Sequence, residues 1–282
     1  MAGRGRGFLA AGCLVAVALL ATEFSGITGT AAPGHFAEQR APWLTPGRDV
    51  MPYEPPVGRF DAHRIVHDGT SRRWYGYAPP VRGRIPPPAI VLLHGSGRDG
   101  RAMLDMWQAL ADREGVVLIA PDALDSGGWS VRDDDAAFLS SVVDDARRIT
   151  PFDPEQMFLF GHSAGAVYSL MLANRVDGQW RAVAVHGGAI GASQVHPARR
   201  PVPIRLYLGE EDQLFDAASA RAGAHALADA GHDTTLVLIP RHTHWYYGIG
   251  PTLSDAAWAF FSSTLRTTAR QDSIGAQWSP GG

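Results

Sequence analysis

Residues 157–170, MFLFGHSAGAVYSL, run four apolar residues into a Gly-X-Ser-X-Gly pentapeptide and then into small residues at helical spacing. Such a sequence encodes a short strand buried on both faces, a sharp turn and a helix. Gly161 and Gly165 remove side chains that would clash in so tight a turn, and Ala164 keeps it uncrowded, so the Ser163 hydroxyl is expected to be exposed. At a helix N-terminus the hydroxyl also meets free N–H groups and a dipole that favours a developing anion. The competing reading is a serine that merely caps the helix, and only partners elsewhere in the chain distinguish the two.

Outward from this stretch, short apolar and β-branched runs recur at 72–78, 89–94, 115–120, 156–160, 181–186, 204–208 and 235–239. Segments with helical spacing lie between or after them at 101–113, 133–149, 164–175, 217–230 and 251–266. Strands alternating with helices imply an α/β fold, a mostly parallel sheet covered on both faces with right-handed crossovers. One domain is expected over 59–270, after a Pro-rich arm at 33–58 and before a disordered tail at 271–282.

In open parallel sheets the ligand site lies beyond the carboxyl ends of the strands. A serine hydroxyl is a weak nucleophile until a base takes its proton, so a histidine oriented by a carboxylate is required, in the chain order Ser, acid, His. After the run 204–208 comes GEEDQLF, offering Glu210, Glu211 and Asp212; after 235–239 comes PRHTHWYYG, offering His242 and His244. Two backbone N–H groups must then face the developing oxyanion. Ala164 supplies one, and Ser96, in the LLHGSGRDG loop after 89–94, is the candidate for the second. Trp129 and Trp245, each in a loop after a strand, are candidates for lining a substrate pocket. The His-X-His pair lacks an identifiable third ligand, so no metal is expected.

Composition narrows the chemistry further. The 282 residues carry a formal charge of -3 with no run of like charges, which points away from nucleic acid and anionic membrane surfaces and towards a small or neutral partner. All 25 basic residues are arginine. The absence of lysine excludes a Walker-A phosphate loop, a Schiff-base enzyme and a Ser-Lys hydrolase. The N-terminus has Arg4 and Arg6, an apolar run over 8–21 and small residues to Ala32, the order of a secretory signal peptide. Secretion is the expectation, and retention of that run would leave the protein membrane-anchored. The single cysteine, Cys13, falls within the signal, so the mature chain has neither disulfide nor thiol nucleophile.

These residues resemble a family, the secreted α/β-hydrolases grouped with polyhydroxybutyrate depolymerases and feruloyl or acetyl-xylan esterases. The resemblance rests on LLHGSG, RDDDAAFL, FDPEQMFLFGHSAGA, LGEEDQLF and RHTHWYYGIGPTLSDAAWAFF, and spans residues 72–265. It implies an α/β-hydrolase fold, an ester substrate, no cofactor, and a Ser-Asp-His triad of Ser163, Asp212 and His244. His244 is preferred to His242 because the family's histidine is often followed by aromatics, as in HWYY. Family members often carry an extra binding module or a cysteine-stapled site. Without either, a small soluble hydroxyalkanoate, feruloyl or acetyl ester is a better fit than a crystalline polymer. Two rival readings are a serine peptidase on the same fold and an exported binding protein with an inert site.

Overall fold

A computed structural model describes residues 32–45, 52–80, 85–176 and 178–276, the last eleven by backbone alone. Residues 1–31, nearly all of the proposed signal peptide, and the final six residues lie outside the described set. The strands are β1 (Phe36–Arg40), β2 (Asp61–His67), β3 (Thr70–Tyr77), β4 (Ala89–Leu93), β5 (Val117–Pro121), β6 (Met157–His162), β7 (Trp180–His186), β8 (Ile204–Gly209) and β9 (Thr234–Ile239). They form a single sheet in the order β1-β9-β8-β7-β6-β4-β5-β3-β2. Only the β2–β3 and β3–β5 pairings are antiparallel. The parallel strands from β4 to β9 are buried on both faces, which explains their continuous apolar sequence.

The helices are α1 (Gly100–Glu114), α2 (Ala136–Ile149), α3 (Ala164–Arg175), α4 (Ala217–Asp229) and α5 (Gly250–Ala276). Asp99, Asp135 and Asp216 cap α1, α2 and α4, each accepting backbone N–H bonds from the first turn. Gly115, in the left-handed region at φ 73°, ends α1. One core, built around Phe138, Leu139, Tyr168, Leu170 and Leu227, packs α2, α3 and α4 on one face of the sheet. The other, around Met103, Trp107, Phe158, Phe160, Tyr246 and Phe261, packs α1 and α5 on the opposite face. Trp107 Nε1 donates to Tyr246 Oη at 2.9 Å, so the second core closes over a satisfied polar pair.

Three boundaries differ from the sequence reading. The arm at 33–58 contains a strand, because Phe36–Arg40 pairs in parallel with β9 at one edge of the sheet, so the domain begins well before residue 59. β2 is added at the other edge. Helix α5 continues through Ala276 and takes in the first residues of the expected tail. No proline interrupts the chain between Pro251 and Pro280, so nothing in the backbone chemistry stops the helix near Arg266.

Candidate active site

The turn from β6 into α3 is held open by its glycines. A Cβ on Gly161 would lie 2.2 Å from Gly165 O, and one on Gly165 would lie 2.3 Å from Leu93 O, so neither position tolerates a side chain. Between them Ser163 adopts φ 55°, ψ -117°, a conformation that costs a non-glycine residue about 1–3 kcal/mol. Two bonds at the turn oppose that cost: Ser163 N–H donates to His186 O at 2.9 Å, and Ser163 O receives Ala166 N–H at 2.9 Å. The Ser163 side chain makes no capping bond to α3, unlike the aspartates that cap α1, α2 and α4, which leaves its hydroxyl free to point elsewhere.

It points to His244. Ser163 Oγ lies 2.8 Å from His244 Nε2, and His244 Nδ1 lies 2.8 Å from Asp212 Oδ2. The three residues follow the carboxyl ends of β6, β8 and β9. The Asp212 side chain is fully buried, and its other oxygen accepts the backbone N–H groups of Leu214 at 2.8 Å and Phe215 at 3.0 Å. Burial pushes the Asp212 carboxyl up, but the hydrogen bond and charge of His244 and the two backbone donors outweigh it and hold the group below its usual range. Asp212 is therefore a carboxylate at neutral pH. It fixes the proton of His244 on Nδ1 and leaves Nε2 as an acceptor for the serine hydroxyl.

His242 takes no part in this chain of bonds. It is 2% exposed and its Nε2 faces His186 Nε2 at 2.9 Å. Glu210 is turned outward into an ion pair with Arg40, and Glu211 is exposed. Of the acids and histidines considered from the sequence, only Asp212 and His244 meet Ser163.

The loop after β4 lies against the nucleophile. A Cβ on Gly95 would sit 3.1 Å from Ser163 Cβ, and one on Gly128 would sit 3.6 Å from Ala164 Cβ and 3.8 Å from Ser96 Oγ. Ser96 Oγ and the Ala164 methyl thus both face Gly128, while Gly95 packs against Ser163. Arg98 N–H donates to Gly95 O and Gly97 N–H to Ser126 O, which closes the loop as a tight turn.

Trp129 is half-buried and stacks on Tyr168 at 5.4 Å. Its indole N–H donates to His94 O at 2.8 Å. The hydrogen bond ties the β5–α2 loop to His94, at the start of the loop that carries Ser96, and the stack ties it to α3. Trp245 is half-buried, edge-on to Tyr247 at 5.4 Å and 5.9 Å from the Arg98 guanidinium. A polar cavity of about 340 Å³ adjoins the same loop, lined in part by His94, Gly97, Arg98, Asp122 and Ser126. Among the described residues no group of three His, Cys, Asp or Glu converges as a metal site.

Sequence reasoning passed over His162 and His186. Both end apolar strands, which is a visible signal, but strand-end histidines gain meaning only once β6 and β7 are seen side by side.

No family model matches the chain. The bifunctional acetylxylan esterase/xylanase XynS20E of Neocallimastix patriciarum is 27% identical over 156 residues, covering 52% of this chain. The match takes in 22% of that protein, so this chain spans about a fifth of the curated relative's length. Among solved structures, a thermostable esterase aligns with TM-score 0.59 at 17% identity, over 73% of this chain and 63% of its own. An S-formylglutathione hydrolase from Agrobacterium tumefaciens aligns with TM-score 0.57 at 16% identity, over 72% and 94%. Esterase PE8 aligns with TM-score 0.52 at 22% identity, over 64% and 94%. Together with the sheet order and the β6–turn–α3 geometry, these neighbours show the α/β-hydrolase fold.

Proposed function

We propose that this chain is a secreted serine esterase that cleaves small soluble carboxylic esters through an acyl-enzyme intermediate, without a cofactor. The observation that carries the reading is the unbroken series Ser163 Oγ, His244, Asp212, with both intervals at 2.8 Å. The esterase named in the curated relative and the two esterases among the structural neighbours support the ester class. The resemblance carried by LLHGSG and RHTHWYYG narrows the acid to a hydroxyalkanoate, feruloyl or acetyl group.

In this mechanism Ser163 Oγ attacks the ester carbonyl carbon as its proton passes to His244 Nε2. The carbonyl π electrons move onto oxygen, which the N–H groups of Ser96 and Ala164 hold. The tetrahedral species collapses, the C–O bond to the alcohol breaks, and His244 returns the proton to the departing oxygen. Water then repeats the sequence on the acyl-enzyme, releasing the acid and restoring Ser163. The buried Asp212 carboxylate stabilises the imidazolium that forms twice in each cycle. Each oxyanion donor is expected to contribute about 3–4 kcal/mol of transition-state stabilisation.

The test is turnover of short-chain p-nitrophenyl esters by wild type and Ser163→Ala, with circular dichroism confirming an unchanged fold. Wild-type turnover that disappears in the variant supports the reading; turnover retained in the variant sinks it. Matched ester and amide substrates measured side by side separate esterase from peptidase chemistry on this scaffold.

A further inference from the structure

Three buried histidines lie directly behind the nucleophile, and the mechanism uses none of them. His162 is the residue before Ser163, His186 ends the neighbouring strand β7, and His242 precedes the base by two residues. His162 Nδ1 lies 3.1 Å from His186 Nδ1 and 3.3 Å from His186 O, and His186 Nε2 lies 2.9 Å from His242 Nε2. The nitrogens form a line rather than converging on a point, so they do not make a metal site. The same His186 carbonyl accepts Ser163 N–H.

These distances select one arrangement of protons. A carbonyl only accepts, so His162 Nδ1, within reach of His186 O, carries the hydrogen and donates towards His186. His186 Nδ1 is then a bare acceptor, which puts its hydrogen on Nε2, facing His242. His242 Nε2 must accept in turn, and its hydrogen sits on Nδ1. Reversing the direction would set the lone pairs of His162 Nδ1 and His186 O against each other at 3.3 Å, beside the bond that restrains the strained serine.

We propose that His162, His186 and His242 are positioning residues: a one-directional chain of neutral imidazoles, anchored at His242, that holds the Ser163 backbone through the His186 carbonyl. Neutrality has a second use. The His162 ring lies 5.2 Å from the His244 ring, so a charge on it would oppose the imidazolium that catalysis must form. Burial holds His162 and His186 well below the usual histidine range, with neighbouring histidines adding to the effect, and Arg98 acts in the same direction on His162. Burial also lowers His242, to about 4, against the pull of Asp212. The remaining ionisable neighbours, Tyr246 and Tyr247, have burial-raised hydroxyls and stay neutral.

The kinetic arm of the test rests on the esterase reading; the spectroscopic arm does not. In histidine-labelled wild type at pH 7.5, long-range ¹H–¹⁵N correlations are expected to show His162 and His242 protonated on Nδ1 and His186 on Nε2. His162 found protonated on Nε2 overturns the proposal, with or without enzymatic activity. For kinetics, His242→Gln retains an acceptor for His186 Nε2–H and His242→Leu does not. The glutamine variant is expected to keep kcat within about threefold of wild type, and the leucine variant to lose about tenfold or more in kcat with KM within twofold. A leucine variant with wild-type kcat, or equal losses in both variants, overturns the proposal. Should the leucine variant fail to fold, the tautomers and the glutamine variant still decide it. The expected tautomers in a protein that hydrolyses no ester would fault the proposed function alone.

Discussion

At the scale of single residues, Ser163 is a compromise between backbone comfort and chemistry. Its φ of 55° with ψ of -117° suits glycine, so Ser163→Gly should raise stability by about 1 kcal/mol, seen as a higher Tm, while abolishing ester hydrolysis. A lower Tm would mean that the turn is not strained. Asp212→Asn keeps the shape but removes the charge that fixes the His244 tautomer, and kcat is expected to fall by about 10⁴ with KM little changed. A loss below tenfold would remove Asp212 from the mechanism. The linear sequence made Ser163, Asp212 and His244 legible because each follows an apolar run and their chain order is constrained. It favoured His244 over His242 only by the aromatics that follow; in the structure His244 lies 2.8 Å from both Ser163 and Asp212, and His242 faces His186. His186 was out of reach because its contribution runs through its carbonyl, and a backbone acceptor has no sequence signature.

At the scale of elements, the loop between β5 and α2 is organised by a buried ion pair. The Arg72 guanidinium, on β3, pairs with Asp134 and also donates to Asp133 O at 2.8 Å; the two side chains are 3% and 0% exposed. Asp134 in turn accepts Leu124 N–H at 2.9 Å and Ser130 N–H at 2.8 Å, which bracket Trp129. Arg72→Met would strand a buried carboxylate and should destabilise the protein by about 3–5 kcal/mol in denaturant unfolding, a larger effect than loss of any exposed ion pair. A change below 1 kcal/mol would show that the pair does not organise the loop. The parallel strands were legible because burial on both faces forces apolar runs. β1 reads FAEQR and β2 reads DAHRIVH, edge strands that keep polar residues on an open face, and their place is set by pairing with distant strands rather than by local pattern.

At the scale of the whole molecule, the buried histidines make the fold sensitive to acid. His94, His162, His186, His232 and His242 are all held below their usual range, chiefly by burial, so the native state keeps them neutral. The unfolded chain binds protons at these positions as pH falls through about 6.5, and stability falls with it. The contribution is fully present above about pH 7. It declines towards the native value, about 4 for His242, with each histidine adding up to about 1.4 kcal/mol per pH unit. Thermal melts should show Tm dropping steeply between pH 6.5 and 5; a flat profile over that interval would contradict the neutral assignment. Secretion rests on the N-terminal Arg–apolar–small pattern, and processing of that segment on export is the observation that would establish it. The central claim, that this fold presents one activated serine, is tested most directly by incubating the protein with a fluorophosphonate and mapping the adduct by mass spectrometry. One equivalent of label on Ser163, absent from Ser163→Ala and much slowed in a His244→Ala variant, is the predicted result; no label, or label elsewhere, would contradict it.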